Sequence, residues 1–169
     1  MFKNIQWGYY AKYGLIAAIA YLVPLSIFIK LSSFTQSWLL YIGNFAFMIV
    51  VAAFHLVFNK NRRENASSTA SFLAGHIVTM LGTLMATLLS LLLLVILVPG
   101  LLEYGTPDKV LTESPDNNIL DRTNGLVPMI LLSVTVCNFG VGSFIALLFP
   151  FTLKADQTKE KVSPSQSEY

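Results

Sequence analysis

The chain reads as an all-α integral membrane protein: a four-transmembrane-helix bundle with both termini cytoplasmic. Three observations predict this. Four apolar stretches, residues 13–29, 38–58, 72–98 and 126–151, contain no Asp, Glu, Lys or Arg. Each is close to the length that a hydrocarbon core of about 30 Å demands at a rise of about 1.5 Å per residue. At 169 residues, 54% hydrophobic and only 12% charged, the pieces outside the stretches are too short and polar to bury a core of their own. The basic residues are also unevenly placed. Lys3, Lys12, Lys60, Arg62, Arg63, Lys154, Lys159 and Lys161 fall on one side, against Lys30, Lys109 and Arg122 on the other. Short cytoplasmic segments hold the basic excess, so the side with eight is cytoplasmic. The domain division is 1–153 for the bundle and 154–169 for a tail.

Taking the elements in order, the N-terminal segment carries Trp7, Tyr9, Tyr10 and Tyr13 around Lys3 and Lys12, an interfacial aromatic belt. The Ala18-Ile19-Ala20 triplet resembles a signal cleavage site, but apolar sequence continues to Ile29, so an uncleaved first span is expected. No lipidation signature is present. Gly14, Ala17, Ala20 and Pro24 offer close approach in this span, and Pro24 is expected to kink it. Trp38 and Tyr41 form the outer belt. The second span places Tyr41, Asn44, Met48, Val51 and His55 on one face.

The third span divides most clearly. At about 100° per residue, Ser71, Gly75, His76, Thr79, Gly82, Thr83, Ala86, Thr87 and Ser90 fall within an arc of about 160°. Leu73, Ile77, Leu81, Leu84, Leu88, Leu91 and Val95 lie opposite. Lipid tails solvate Leu as well as protein does, so helices associate where small residues let backbones approach. In the fourth span Thr135, Asn138, Gly142 and Ala146 share a face. Asn138 lies near mid-membrane and needs a partner, for which Thr83 or Thr87 is at matching depth. The expected helix-packing set is Gly75, Thr79, Gly82, Thr83, Ala86, Asn138 and Gly142.

The outer loop 99–125 carries Glu103, Asp108, Glu113, Asp116 and Asp121 with several Pro and Gly turn signals, which predicts irregular structure with a short turn at Leu101 and Leu102. It lacks EF-hand spacing, so a solvated acidic loop is expected rather than a calcium site. Asn65-Ala66-Ser67 is a formal glycosylation sequon on the cytoplasmic side and is expected to be unused. The tail from Lys154 mixes charge with Ser, Gln and Pro, which predicts disorder. Cys137 is the single cysteine, so no intramolecular disulfide forms.

Chemistry has few footholds. His55 and His76 are the only histidines and lie at the cytoplasmic ends of consecutive spans. Two imidazoles on neighbouring helices suit a b-type haem or a metal ion, and Gly75 would clear room for a macrocycle. The plainer alternative is hydrogen bonding to water, a carbonyl or a headgroup, and no cofactor or metal is assigned. The sequence has no Gly-x-Ser-x-Gly, His-Glu-x-x-His, P-loop or Rossmann fingerprint. No span carries the acid that four-span drug exporters use.

The segments KNIQWGYYAKYGL, ENASSTASFLAGHIVTMLG and GSFIALLFPFTLKADQTK resemble a group of small four-span bacterial membrane proteins of unknown function. The resemblance implies a multi-pass protein of the bacterial inner membrane and no catalytic residue. We expect a non-enzymatic structural or accessory protein. The alternatives are a transport component, and a haem- or metal-binding subunit using the two histidines. Its partners would be the lipid bilayer and other membrane proteins or a second copy, with no nucleic acid.

Overall fold

A computed structural model describes residues 7–61, 68–98, 101, 111 and 125–159. The element order is α1 (Trp7–Leu31), a 3-10 turn (Phe34–Gln36), α2 (Trp38–Asn61), α3 (Ser68–Leu97), α4 (Leu126–Leu132), a π-helical turn (Ser133–Cys137) and α5 (Asn138–Lys159). The last three are continuous and make the fourth span. The described residues thus hold four helices long and apolar enough to cross a membrane, an all-α four-helix bundle.

Helices outrun the charge-free stretches at both ends. α1 begins at Trp7, so Lys12 lies within its first turns, and it passes unbroken through Pro24. α5 continues to Lys159, which corrects the expected tail: residues 154–159 are helical where disorder was expected, and 160–169 lie outside the described residues. So do the acidic residues of the outer loop and the sequon. Leu101 forms a turn through its N–H to the Val98 carbonyl, while Leu102 is outside.

α1 stops at Ser32, whose φ of 49° closes the helix in the left-handed conformation. Its N–H reaches the Phe28 carbonyl at 2.8 Å and its hydroxyl donates to the Ile29 carbonyl at 2.7 Å, so the last carbonyls find donors.

α1 packs along α2 and α3, and the fourth span packs along the same two from the other side. α2 and α3, although consecutive, face each other mainly across the diagonal. Tyr10 meets Phe58, His55 meets Ser71 and Gly142 meets Thr79. The termini therefore share one end of the bundle with the α2–α3 connection.

On α1 the buried positions are Tyr10, Gly14, Ala17, Ala18, Tyr21, Pro24, Leu25, Phe28 and Ile29, and on α2 Leu39, Leu40, Gly43, Asn44, Phe47, Val51, Phe54, His55 and Phe58. On α3 they are Ser71, Ala74, Gly75, Val78, Thr79, Gly82, Ala86, Ser90 and Leu94, and on the fourth span Leu126, Ile130, Ser133, Val134, Asn138, Gly142, Ile145, Ala146 and Pro150. Each helix buries one face in steps of three and four, with aromatic rings prominent on α1 and α2 and small residues on α3 and the fourth span.

Candidate functional site

Most interior glycines are seats for another helix. A Cβ on Gly14 would lie 3.0 Å from the Gly82 backbone nitrogen, and one on Gly82 would lie 3.0 Å from the Phe47 ring. α1 and α3 therefore approach backbone to backbone. A Cβ on Gly43 would fall 2.9 Å from the Tyr21 ring, and one on Gly142 would fall 2.7 Å from Thr79 Oγ1. Gly75, Thr79, Gly82 and Ala86 are all buried on α3, with Asn138 and Gly142 buried opposite and Thr83 half-buried.

The third seat is filled by a histidine. His55 is fully buried and its Nε2 lies where a Cβ on Gly75 would be, with Ala146 alongside. Its Nδ1 pairs with Ser71 Oγ at 3.3 Å, and its ring meets Phe54 and Phe149 at centroid distances of 5.5 and 5.9 Å. One side chain of α2 thus ties α3 to the fourth span. His76 is half-buried, pairs through Nδ1 with the Phe72 carbonyl at 3.0 Å and packs on the Phe72 ring. Gly75 makes room for His55, not for a macrocycle. His55 thus has Nδ1 engaged by Ser71 and Nε2 pressed against the Gly75 backbone.

A second polar knot lies toward the other end. Tyr21 donates its hydroxyl to Ser133 Oγ at 3.1 Å, and Asn44 Nδ2 donates to the same oxygen at 3.2 Å. All three residues are buried, and the bonds join α1, α2 and the π-helical turn. Sequence reasoning singled out Asn44 but missed Tyr21 and Ser133. The available signal was Tyr21 itself, a phenol far from either interfacial belt, where its hydroxyl requires a partner.

The expected bond from Asn138 to Thr83 or Thr87 is not formed. Thr87 donates its hydroxyl to the Thr83 carbonyl at 2.8 Å within its own helix. Neither side-chain atom of Asn138 has a partner, nor do Thr79 Oγ1 and Thr83 Oγ1. Thr79 packs against Gly142, one turn along from Asn138 in the antiparallel register. Thr135, expected on the Asn138 face, instead returns its hydroxyl to the Leu131 carbonyl at 2.6 Å.

The N-terminal aromatics also differ from a simple belt. Trp7 is exposed, as are Trp38 and Tyr41 at the other end. Tyr10, however, is buried, and Tyr10 and Tyr13 pack edgewise on Phe54 while Tyr9 packs on it at a tilt, with centroids 5.4 to 5.9 Å away. These rings weld the start of α1 to the end of α2. Comparison with protein-family models, curated proteins and solved structures returned no match. Chemically, the interior of the described bundle offers hydroxyls, amides and one caged imidazole, a set suited to holding helices together.

Proposed function

We propose that this chain is a non-catalytic structural or accessory protein of a bacterial inner membrane, with both termini cytoplasmic. Its partners are the bilayer and other membrane proteins or a second copy of itself. The observation that carries the proposal is the way the interior is filled: Gly75, Gly82, Gly43 and Gly142 each receive a side chain from a neighbouring helix. A transporter instead needs a polar cavity near mid-membrane, built around interrupted helices. The spans contain no carboxylate, lysine or arginine between residues 13 and 29, 38 and 58, 72 and 98, or 126 and 151, and so lack the groups that mark ion and proton paths.

The experiment is purification from gentle detergent, with three readouts on the same material. The protein should bring down a stoichiometric membrane partner or form a defined oligomer, and it should lack a Soret band. Reconstituted vesicles should show no solute flux above protein-free vesicles. A chromophore lost in His55→Ala or His76→Ala would replace the proposal with electron transfer, and saturable flux would replace it with transport. Orientation is tested by reporters placed after Tyr169 and near Pro115. Activity of the first only in a cytoplasmic assay, and of the second only in an external one, is expected.

A further inference from the structure

We infer that the seam between α3 and the fourth span holds a small cluster of bound water at the level of Asn138. The starting point is register. Gly75 seats against Ala146 and Thr79 against Gly142, so a step of four up α3 matches a step of four back along α5. The next pair in this antiparallel register is Thr83 with Asn138. The Asn138 side chain shares its helix face with Gly142 and Ala146, and therefore points at α3.

At this level and one turn beside it, four polar atoms are buried without a protein partner: Asn138 Nδ2 and Oδ1, Thr83 Oγ1 and Thr79 Oγ1. Asn138 and Thr79 have no exposed surface at all. A buried polar group without a hydrogen bond is costly in any apolar setting, and lipid offers none. The atom types select the guest. Asn138 presents a donor and an acceptor side by side, and each threonine hydroxyl does both. A cation would satisfy Oδ1 and repel the amide hydrogens, and an anion would do the reverse. Water donates and accepts, and typically uses about three such partners when buried.

The cluster is confined. Toward the termini, His55 with Phe54 and Phe149 fills the space over Gly75. In the other direction Ser133 is already engaged by Tyr21 and Asn44. The water is a structural bridge that completes the α3 to fourth-span contact, and does not form a continuous path across the bilayer.

The test is X-ray hydroxyl-radical labelling of the full-length protein in lipid nanodiscs, in oxygen-18 water, read residue by residue by mass spectrometry. Radicals born from bound water label only what that water touches. Labelling at Thr79 and Thr83 should exceed that at the lipid-facing Leu84 and Leu88 several-fold, even though leucine is intrinsically the more reactive side chain. In Asn138→Leu it should fall to the leucine level. If Asn138→Leu does not assemble, Thr83→Val, which matches shape, should lower the label at Thr79. Wild-type labelling at Thr79 and Thr83 no higher than at Leu88 would overturn the inference. So would labelling that survives loss of the Asn138 amide.

Discussion

The two halves of the bundle are held together differently. Between the start of α1 and the end of α2 the contact is large on large: Tyr10, Tyr13, Phe54 and Phe58 form a cluster of edge-on and tilted rings. Between α3 and the fourth span it is small on small, with Gly75, Thr79, Gly142 and Ala146 in direct contact. In the first half dispersion between rings supplies the adhesion. In the second, close backbone approach supplies it, and the hydroxyls and amide that come with small polar residues must then be satisfied. A small-residue seam in lipid thus brings helices near at the cost of burying hydroxyls and an amide that need partners.

The difference is broken most severely where the two halves join. Gly82 faces both the Gly14 backbone and the Phe47 ring, so Gly82→Leu must push α1 and α2 off α3 together. We expect a loss of about 3 kcal/mol or more, the upper end for overpacking, measured as the shift in an unfolding midpoint in mixed detergent. Loss no greater than for an outward-facing position would show that the helices do not approach as described.

The next effect is specific to the small-residue side. Gly75→Ala places a methyl group where His55 Nε2 sits, and should cost about 1 to 3 kcal/mol by forcing the ring away. His55→Ala alone should also destabilise, since it empties the seat and unpairs Ser71. Combined, the two changes should cost much less than their sum, because the methyl then occupies the room the ring has left. Strict additivity in this double-mutant cycle would mean that His55 and Gly75 do not touch.

Parts of this architecture were legible in the residues and parts were not, for a common reason. The third span declared its inner face because Gly, Ala, Ser and Thr contrast with Leu even in lipid. α1 and α2 declared theirs in part: Gly14, Ala17, Pro24, Asn44, Val51 and His55 are buried as expected, but Tyr41 is exposed, and Phe28 inside and Ile27 outside are equally apolar, because a membrane removes the hydropathy contrast that marks burial in water. The caged His55 was legible as to level but not as to state: the sequence put it near Gly75, and only the helix separation decided that the glycine serves the imidazole. Asn138 was legible as buried and polar but not as to partner, because a threonine hydroxyl can turn back to its own helix, as Thr87 does to the Thr83 carbonyl. The π-helical turn from Ser133 to Cys137 left no signal in residue type, and with it went the Tyr21 to Ser133 bond.

A smaller effect separates packing from polarity within the small-residue seam. Gly142→Ala should destabilise by about 1 to 2 kcal/mol, because its methyl group would meet Thr79 at 2.5 Å from Cγ2. Thr79→Ser removes that methyl and keeps the hydroxyl, so it should restore much of the loss in the Gly142→Ala background. Thr79→Val keeps the bulk and removes the hydroxyl, and should restore none. If serine and valine behave alike, the contact at Gly142 is not steric.

The smallest change is expected on the outer face of the same helix. Leu84 and Leu88 are 57% and 59% exposed, and in a bilayer that surface meets acyl chains. Truncation to alanine exchanges side-chain contacts with lipid for contacts between lipid and a slightly thinner helix, leaving no cavity and stranding no polar group. Nothing like the 2 to 5 kcal/mol of a buried leucine is lost. Each single change should therefore stay within about 0.5 kcal/mol of the parent. Their outcome also guards the larger comparison. Should Leu88→Ala weaken the protein as much as Gly75→Ala, the leucine face of α3 would have to be an interface, and a second copy or another subunit would have to cover it. A crosslink between cysteines introduced at Leu88 in two copies, read against one at Ala86 inside the bundle, would then tell self-association from a foreign partner.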